Sequence, residues 1–554
     1  MYDLQGEWKN TKKLVQQGYK ILNKCVILNI PAPCLPADSI KQNTGIGSPI
    51  SRGGKRFFDF FEGVFDKILF GPTGRTFAPK YSPYESAFGQ NPFFIDLYKL
   101  TTEKYGKLLS VKTLHAIYNT PKDETDIFFP MLGRNYNDAL FEAYQNYLQR
   151  LAEKNDFALL INQEIKKLKH SFTAQEATFY APFAQDRYLF EEALTTLMLR
   201  ELTMSSIADV EVKMPDALVI QKPYLFLTDF TLGSPPDKFN QNARDWNFKV
   251  FNPDYLINPD GSLGEAGEFL FKTFDNLFQN NTGGIRIDHF IGFVNPYVFA
   301  HNKNDKSGRL YSSDDNPMLS RFAKKPGQFG DLVEKTIIAA MKKNKQTVMN
   351  IYPEDLGARP EQLDDVLKQF GLGHLIVCQF ADVNNPQHFY HLSNTTFEDI
   401  AALDTHDTQS IQTYLASMDD YTRQKDAKRM AQYLRFNYND SLKDNRQLMR
   451  MKWAELMTCP AHRTQAFFTS FIGLDGRYNE PGNPKKWRLR CPCDFENIYF
   501  NNILNGTAYN PLDAIALAIF ARGDDFYNQN KNFVAKLHDQ ENKLIAAIRE
   551  QFSK

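Results

Sequence analysis

Short apolar runs that end in polar or acidic clusters recur along the chain, separated by stretches whose apolar residues fall at helical spacing. Cys25 to Pro33 reads as a buried first strand running into a Pro-rich turn. Phe57 to Phe65 carries helical spacing, and Lys67 to Phe70 is a short strand before Gly71-Pro72-Thr73-Gly74, so a βαβ unit opens the fold. From about Thr101 to Arg200 the pattern turns helical. Leu140, Tyr144, Tyr147, Leu148 and Leu151 mark one apolar face, and Leu189, Ala193 and Leu197 mark another. Lys166 to His170 reads as a solvated helix face. Strand character returns at Ile207, with Asp209 following a short apolar step, and again at Tyr224 to Leu227; a helix is expected over Glu265 to Phe278. Thr347 to Tyr352, Leu375 to Phe380 and Ile400 to Leu403 are further apolar strands, and Phe533 to Ile548 is helical.

The most informative stretch is Gly283 to Phe293, Gly-Gly-Ile-Arg-Ile-Asp-His-Phe-Ile-Gly-Phe. Its period-two alternation puts Arg286 and Asp288 on one face of a strand and Ile285 and Ile287 on the other. An Arg beside an Asp favours the ionised carboxylate, which suits a nucleophile, but such a pair serves structure as readily as chemistry. Glu354 and Asp407 supply the company: each follows an apolar strand, in Pro353-Glu354-Asp355-Leu356-Gly357 and in Asp404-Thr405-His406-Asp407. Repeated strand, polar end and helix is the pattern of an α/β fold built as a (β/α)8 TIM barrel with helical insertions, whose chemistry sits at strand C-terminal ends. The expected organisation is one catalytic barrel chain over residues 1–554, with a helical insertion at 101–205 and a partly helical extension at 491–554.

Composition narrows the classes. The 554 residues hold 65 Lys plus Arg and 65 Asp plus Glu, so the formal net charge is zero. A nucleic-acid or membrane-surface partner, which would draw on a basic excess, is not expected. Aromatic residues reach 14%, supplying flat faces on which sugar rings stack, although most belong to the core. Six irregularly spaced cysteines and the lack of an apolar N-terminal or membrane-length segment point to a soluble, reducing, cytoplasmic setting. The Gly71 to Gly74 turn lacks the Lys-Ser/Thr of a phosphate loop, and His388 and His391, on one possible helical face, have no carboxylate partner. No metal or cofactor is expected.

Paired carboxylates suit glycoside chemistry, in which a retaining enzyme needs an ionised nucleophile and a protonated acid/base about 5 to 5.5 Å apart. The segments Arg286-Ile287-Asp288-His289-Phe290, Glu354-Asp355-Leu356-Gly357 and Thr405-His406-Asp407 resemble the signatures of the 4-α-glucanotransferases, the amylomaltase branch of the α-amylase clan. Ser82-Pro83-Tyr84 resembles that family's N-terminal sugar-binding loop, and Pro235-Pro236-Asp237, followed by Phe239 and Trp246, its substrate loop. Asn479, Pro481, Gly482, Trp487 and Arg490 resemble its C-terminal donor-site segment. The resemblance implies Asp288 as nucleophile, Glu354 as acid/base and Asp407 as transition-state stabiliser. It further implies substrate contacts from Ser82, Tyr84, Asp209, Asp237, Trp246, Arg286, His289, His406 and Asn479, with maltodextrins as donor and acceptor. The chain departs from the family pattern at Ile291, Thr408 and Ala243-Arg244. A glucan hydrolase and a catalytically silent glucan-binding protein remain open alternatives at this point.

Overall fold

The structure is a computed structural model that describes residues 3–78, 81, 86, 88–236, 242–301, 308–311, 328–357, 359–479 and 487–553. Its strands, in chain order, are β1 (Cys25–Asn29), β2 (Lys67–Leu69), β3 (Ser206–Val210), β4 (Phe226–Ser234), β5 (Arg244–Phe251) and β6 (Gly284–Ile287). They continue with β7 (Tyr297–Ala300), β8 (Gly308–Leu310), β9 (Ile351–Pro353), β10 (Leu375–Val377), β11 (Ile400–Ala402) and β12 (Arg463–Phe467). The chain divides into two compact units. The first comprises Met1–Leu69, Lys122–Ile127 and Leu375–Lys554; the second comprises Phe70–Pro121 and Phe128–His374. Eight parallel strands, five in the first unit and three in the second, alternate with helices in the manner of a (β/α)8 barrel.

In the first unit the strand order is β10-β11-β12-β1-β2, all neighbours parallel, with Val26 opposite Thr464 and Leu28 opposite Ala466. These strands are nearly continuous runs of buried residues, as parallel strands covered on both faces must be. Strand β12 was not among the expected elements: Arg463, Thr464 and Gln465 are buried but polar, so the run lacks the apolar signature. The N-terminal segment, which reads as merely polar, forms the helix Leu4–Leu22. Its buried Leu4, Trp8, Val15, Tyr19 and Leu22 are spread among lysines and glutamines at helical spacing. Trp8 stacks on Phe60, 5.2 Å between centroids, and donates its indole N–H to the Phe60 carbonyl. Gly18 has no side chain to spare: a Cβ there would stand 2.7 Å from Ile515. The C-terminal helix Asp524–Phe552 contains the expected helical stretch.

In the second unit β3, β6 and β9 are parallel neighbours in that order, and β5-β4-β7-β8 form a separate antiparallel sheet. Strand β4 starts two residues later than the sequence pattern suggests, because Pro223 seeds a 3-10 turn over Pro223–Leu225. Helices Val111–Asn119, Phe129–Ala152, Asp156–Leu168, Phe172–Tyr180 and Gln185–Leu199 fill the stretch that reads as helical. The expected face of the long helix is corrected. Leu148 is exposed, and the buried stripe is Leu132, Tyr136, Ala139, Leu140, Ala143 and Tyr147, in which two alanines make the contact that a count of large side chains overlooks. Lys166, Lys167, Lys169 and His170 are exposed, as expected. Among the described residues no helix is long and apolar enough to cross a membrane.

The first unit also buries a four-residue ionic cluster. Arg429 is bound to Asp426 (2.8 Å) and Glu455 (2.5 Å), and Lys452 to Asp426 (2.7 Å), all at side-chain exposures of 12% or less. Charges removed from water this completely must be paired. The neighbouring cations Lys452 and Arg429 outweigh desolvation and hold the Asp426 and Glu455 carboxyls below their ordinary values. Their stabilising contribution is therefore present above the unfolded carboxyl pKa of about 4 and is lost as pH falls through the folded values. Arg429→Ala, which leaves two buried carboxylates to the single cation Lys452, is expected to cost about 3–5 kcal/mol. Urea unfolding at neutral pH checks this; a midpoint equal to that of the unaltered protein would refute it.

Candidate active site

The site in the second unit grows from the register of β3 against β6, which sets Asp209 opposite Arg286. Ile285 and Ile287 are fully buried in the core while Arg286 projects from the other face, which is the alternation the sequence implies. The guanidinium then bridges two carboxylates: Nη1 donates to Asp209 Oδ1 and Nη2 to Asp288 Oδ1, each at 2.7 Å. The Asp209 side chain is fully buried, whereas that of Asp288 keeps 30% of its surface open. Asp209 lies within β3 rather than after it.

Strand β6 ends as the Asp288 N–H bonds the Val210 carbonyl, and the chain then turns through His289, whose φ of +48° is left-handed. A residue other than glycine adopts this conformation at a cost, tolerated where surrounding contacts enforce it. Here the enforcing contact is Glu354. Its carboxylate accepts the His289 N–H at 2.8 Å and the Leu356 N–H at 2.7 Å, while its carbonyl accepts the Phe290 N–H at 2.9 Å. Burial pushes the Glu354 carboxyl well above the usual carboxylate range, and the nearby Asp288 charge adds to this; Arg286 and the two N–H donors oppose it. The His289 imidazole is driven the other way, down to about 4, by burial against the pull of Asp288 and the Gly233 carbonyl, so it is neutral at neutral pH. Trp246, on β5, meets the His289 ring edge-on at 4.5 Å.

A second constellation stands in the first unit, after β11. Asp404, fully buried, accepts the Phe467 N–H at 2.8 Å and the Ser470 hydroxyl, which ties the end of β11 to that of β12. Burial pushes its carboxyl up to about 7. The turn that follows presents Asp407, 43% exposed, with His406 Nε2 at 3.1 Å from one carboxylate oxygen and Asn479 Nδ2 donating to the other at 2.6 Å. The Asn479 N–H closes on the His406 carbonyl at 2.9 Å, and the Trp487 ring lies 6.4 Å from the His406 ring.

The sequence-derived set is thus found in two groups: Asp288, Glu354, Arg286, Asp209, His289 and Trp246 in one unit, and Asp407, His406 and Asn479 in the other. Ser82, Tyr84 and Asp237 lie outside the described residues, as do Phe239, Pro481 and Gly482. Of the Ser82 loop, Ser86 and Gly89 are bound to the buried Glu176 and Gln90 to the buried Glu192. Arg490 is buried and binds Asn43 and the Leu35 and Ile46 carbonyls, a structural clamp. His391 is not on a helix with His388; its ring faces the Asp382 and Asn385 carbonyls. Among the described residues no three His, Cys, Asp or Glu are placed to hold a metal. Asp404 was visible in sequence only as one more acid in a cluster; its signal is its place directly after the buried strand.

Adjacent strand ends thus carry one arginine-paired carboxylate and one carboxyl of raised pKa, the kind of pair that glycosidic-bond chemistry calls for. A family model described as 4-alpha-glucanotransferase, glycoside hydrolase family 77, matches residues 209–494, just over half the chain. The chain belongs to this family. A 4-alpha-glucanotransferase of Chlamydia pneumoniae is 24% identical over 295 residues, 51% of this chain and 50% of that protein. A chloroplastic/amyloplastic 4-alpha-glucanotransferase of Oryza sativa subsp. japonica is 23% identical over 376 residues, 64% of this chain and 56% of that protein. The chain spans about half the length of these relatives. Amylomaltase from Streptococcus agalactiae, solved in complex with acarbose, superposes with a TM-score of 0.65 at 18% identity, covering 90% of this chain and 100% of that one. Amylomaltase from Corynebacterium glutamicum superposes with a TM-score of 0.63 at 16% identity, covering 94% and 76%. These likenesses agree with the (β/α)8 fold.

The electrostatics make a prediction independent of substrate. Asp288→Asn removes a charge that disfavours ionised Glu354, so the Glu354 pKa should fall; Arg286→Gln removes one that favours it, so the pKa should rise. Infrared titration of the protonated carboxyl reads both shifts, and an unmoved titration in both variants would contradict the arrangement.

Proposed function

We propose that the protein is a retaining 4-α-glucanotransferase that moves α-1,4-glucan segments between maltodextrins by double displacement. The observation that carries this reading is the contrast between two neighbouring carboxyls: Asp288 is paired with Arg286, and Glu354 is held toward its protonated form by burial and by Asp288. In the first step Asp288 attacks the anomeric carbon while Glu354 gives its proton to the leaving glycosidic oxygen, and the C1–O bond breaks. In the second step Glu354, now ionised, takes the proton from the 4-hydroxyl of an incoming glucan. That oxygen displaces Asp288 from C1, restoring both carboxyls.

Asp407, with its carboxylate fixed by His406 and Asn479, is assigned to stabilising the flattened ring of the transition state. Neutral His289 is suited to hydrogen-bonding sugar hydroxyls, as is the His406 ring, and Trp246 to stacking. Arg286 and Asp209 act behind Asp288. Ser82, Tyr84, Asp237 and Asn479 keep the substrate-binding roles that the family resemblance gives them. The bond changes of the scheme use two carboxyl groups, Asp288 and Glu354, with Asp407 as a third in support, and no cofactor. The same reading takes the chain as one catalytic barrel, with residues 101–205 as a helical insertion and 491–554 as an extension, acting in the cytoplasm.

Incubation with maltotriose is expected to give a ladder of longer maltodextrins together with glucose, and Asp288→Ala to lower the rate by about 10⁴-fold. Glucose and maltose without elongation would mark a hydrolase; an Asp288→Ala rate equal to that of the unaltered enzyme would overturn the assignment. The raised Glu354 pKa also sets a sign. The acid form persists to higher pH than an ordinary carboxyl allows, so kcat/KM falls only as pH rises through the displaced value. A basic limb at the pKa of a free glutamate would contradict it.

A further inference from the structure

The residue after Glu354 is also an acid, and it is turned away from the site. Asp355 is buried, and its Oδ2 lies 2.7 Å from His374 Nδ1 and 3.6 Å from Arg359 Nε. Arg359 also donates from Nη2 to His374 Nε2 at 3.3 Å and to Asp364 at 2.8 Å. Since a guanidinium can only donate, His374 Nε2 is the acceptor and Nδ1 carries the proton given to Asp355. The ring is thereby held in one orientation between a buried carboxylate and an arginine.

The three residues come from separate places in the chain: the end of β9, the approach to the helix Glu361–Phe370, and the segment that follows that helix. Between them runs the turn that begins at Glu354 and passes Gly357, whose φ is +96°. That turn delivers the Leu356 N–H to Glu354 Oε1, one of the two donors that hold the carboxyl in place.

We propose that His374, with Arg359, is a positioning residue for Glu354, acting through Asp355 to fix the turn that presents the Leu356 N–H to the acid/base carboxyl. This rests on the role given to Glu354 above. Loosening the turn does two things. It lets the carboxyl leave the orientation needed to reach the leaving oxygen, which lowers kcat more than it raises KM. It also removes an N–H donor that favours the ionised form, so the Glu354 pKa rises further. Among the described residues of this unit, the charged and titratable groups facing Glu354 include Asp288, Arg286 and His289; His374 faces Asp355 and Arg359, and Arg359 in turn pairs with Asp364. Replacing His374 leaves the Asp355, Arg359, Asp288 and Arg286 side chains in place, which makes it the cleaner position to change.

The test is steady-state disproportionation of maltotriose across pH by the full chain carrying His374→Ala, His374→Asn or Glu354→Gln, each checked for folding by its thermal midpoint. An Asn amide can reproduce the Nδ1–H donor; an Ala cannot. His374→Ala is expected to lower kcat about tenfold with KM little changed and to move the basic limb to higher pH, and His374→Asn to restore both. Unaltered kcat and an unmoved limb in His374→Ala, beside an inactive Glu354→Gln, would overturn the positioning role while leaving the catalytic reading intact. A loss of activity with the limb in place, unrestored by Asn, would mark a purely structural residue and overturn it as well. Full activity in Glu354→Gln would instead remove the catalytic reading. Should His374→Ala fail to fold, Arg359→Gln takes its place, with the same kcat loss and limb shift expected and the same null result overturning the proposal.

Discussion

The Arg286 guanidinium, shared between Asp209 and Asp288, is the interaction on which the rest of the site depends. An arginine with little exposed surface needs compensating charge, and two carboxylates supply it. The buried Asp209 anchors the fork to β3, so the second arm is left aiming at Asp288 at the strand end. A lysine would provide the charge without the fixed angle between two donors. The Asp288 charge held there raises the pKa of the neighbouring Glu354, and Arg286 itself pulls it down. One buried cation thus orients the nucleophile candidate while partly offsetting the rise that burial and Asp288 impose on Glu354.

Glu354 is restrained from two directions. The His289 N–H reaches it from the end of β6 and the Leu356 N–H from its own turn. Both donors favour the ionised carboxyl, yet burial and Asp288 win, and the acid form is retained. The donors therefore contribute position more than protonation state. The left-handed backbone at His289 is part of the same arrangement, since it points the N–H at the carboxylate instead of continuing the ladder. Asp404 does comparable work in the first unit, where its two hydrogen bonds join the ends of β11 and β12 ahead of Asp407.

Much of this was legible in the chain itself. Alternation over Gly283 to Phe293 gave the face shared by Arg286 and Asp288, because the period of a strand is rigid enough to assign sides. The acids at Glu354 and Asp407 stood out because polar clusters directly followed apolar runs. Strand β12 was hidden because its interior residues are Arg463, Thr464 and Gln465, whose burial depends on partners elsewhere in the sequence. The N-terminal helix was hidden by dilution, since one large apolar residue every three or four positions among lysines leaves the mean polar. Likewise Leu148 reads as core and Ala139 and Ala143 do not, yet close packing favours the alanines. The His374 and Asp355 contact joins residues 19 apart and has no local signature at all.

The central claim is that Asp288 forms the bond to sugar and Glu354 manages the proton. An activated donor such as α-maltosyl fluoride needs no acid for its first step but still needs the base for its second. In Glu354→Gln the glycosyl-enzyme should therefore accumulate, and intact mass followed by peptide mapping should find one maltosyl group per chain, attached at Asp288. A label on any other residue, or fluoride release with no covalent species, would contradict the account.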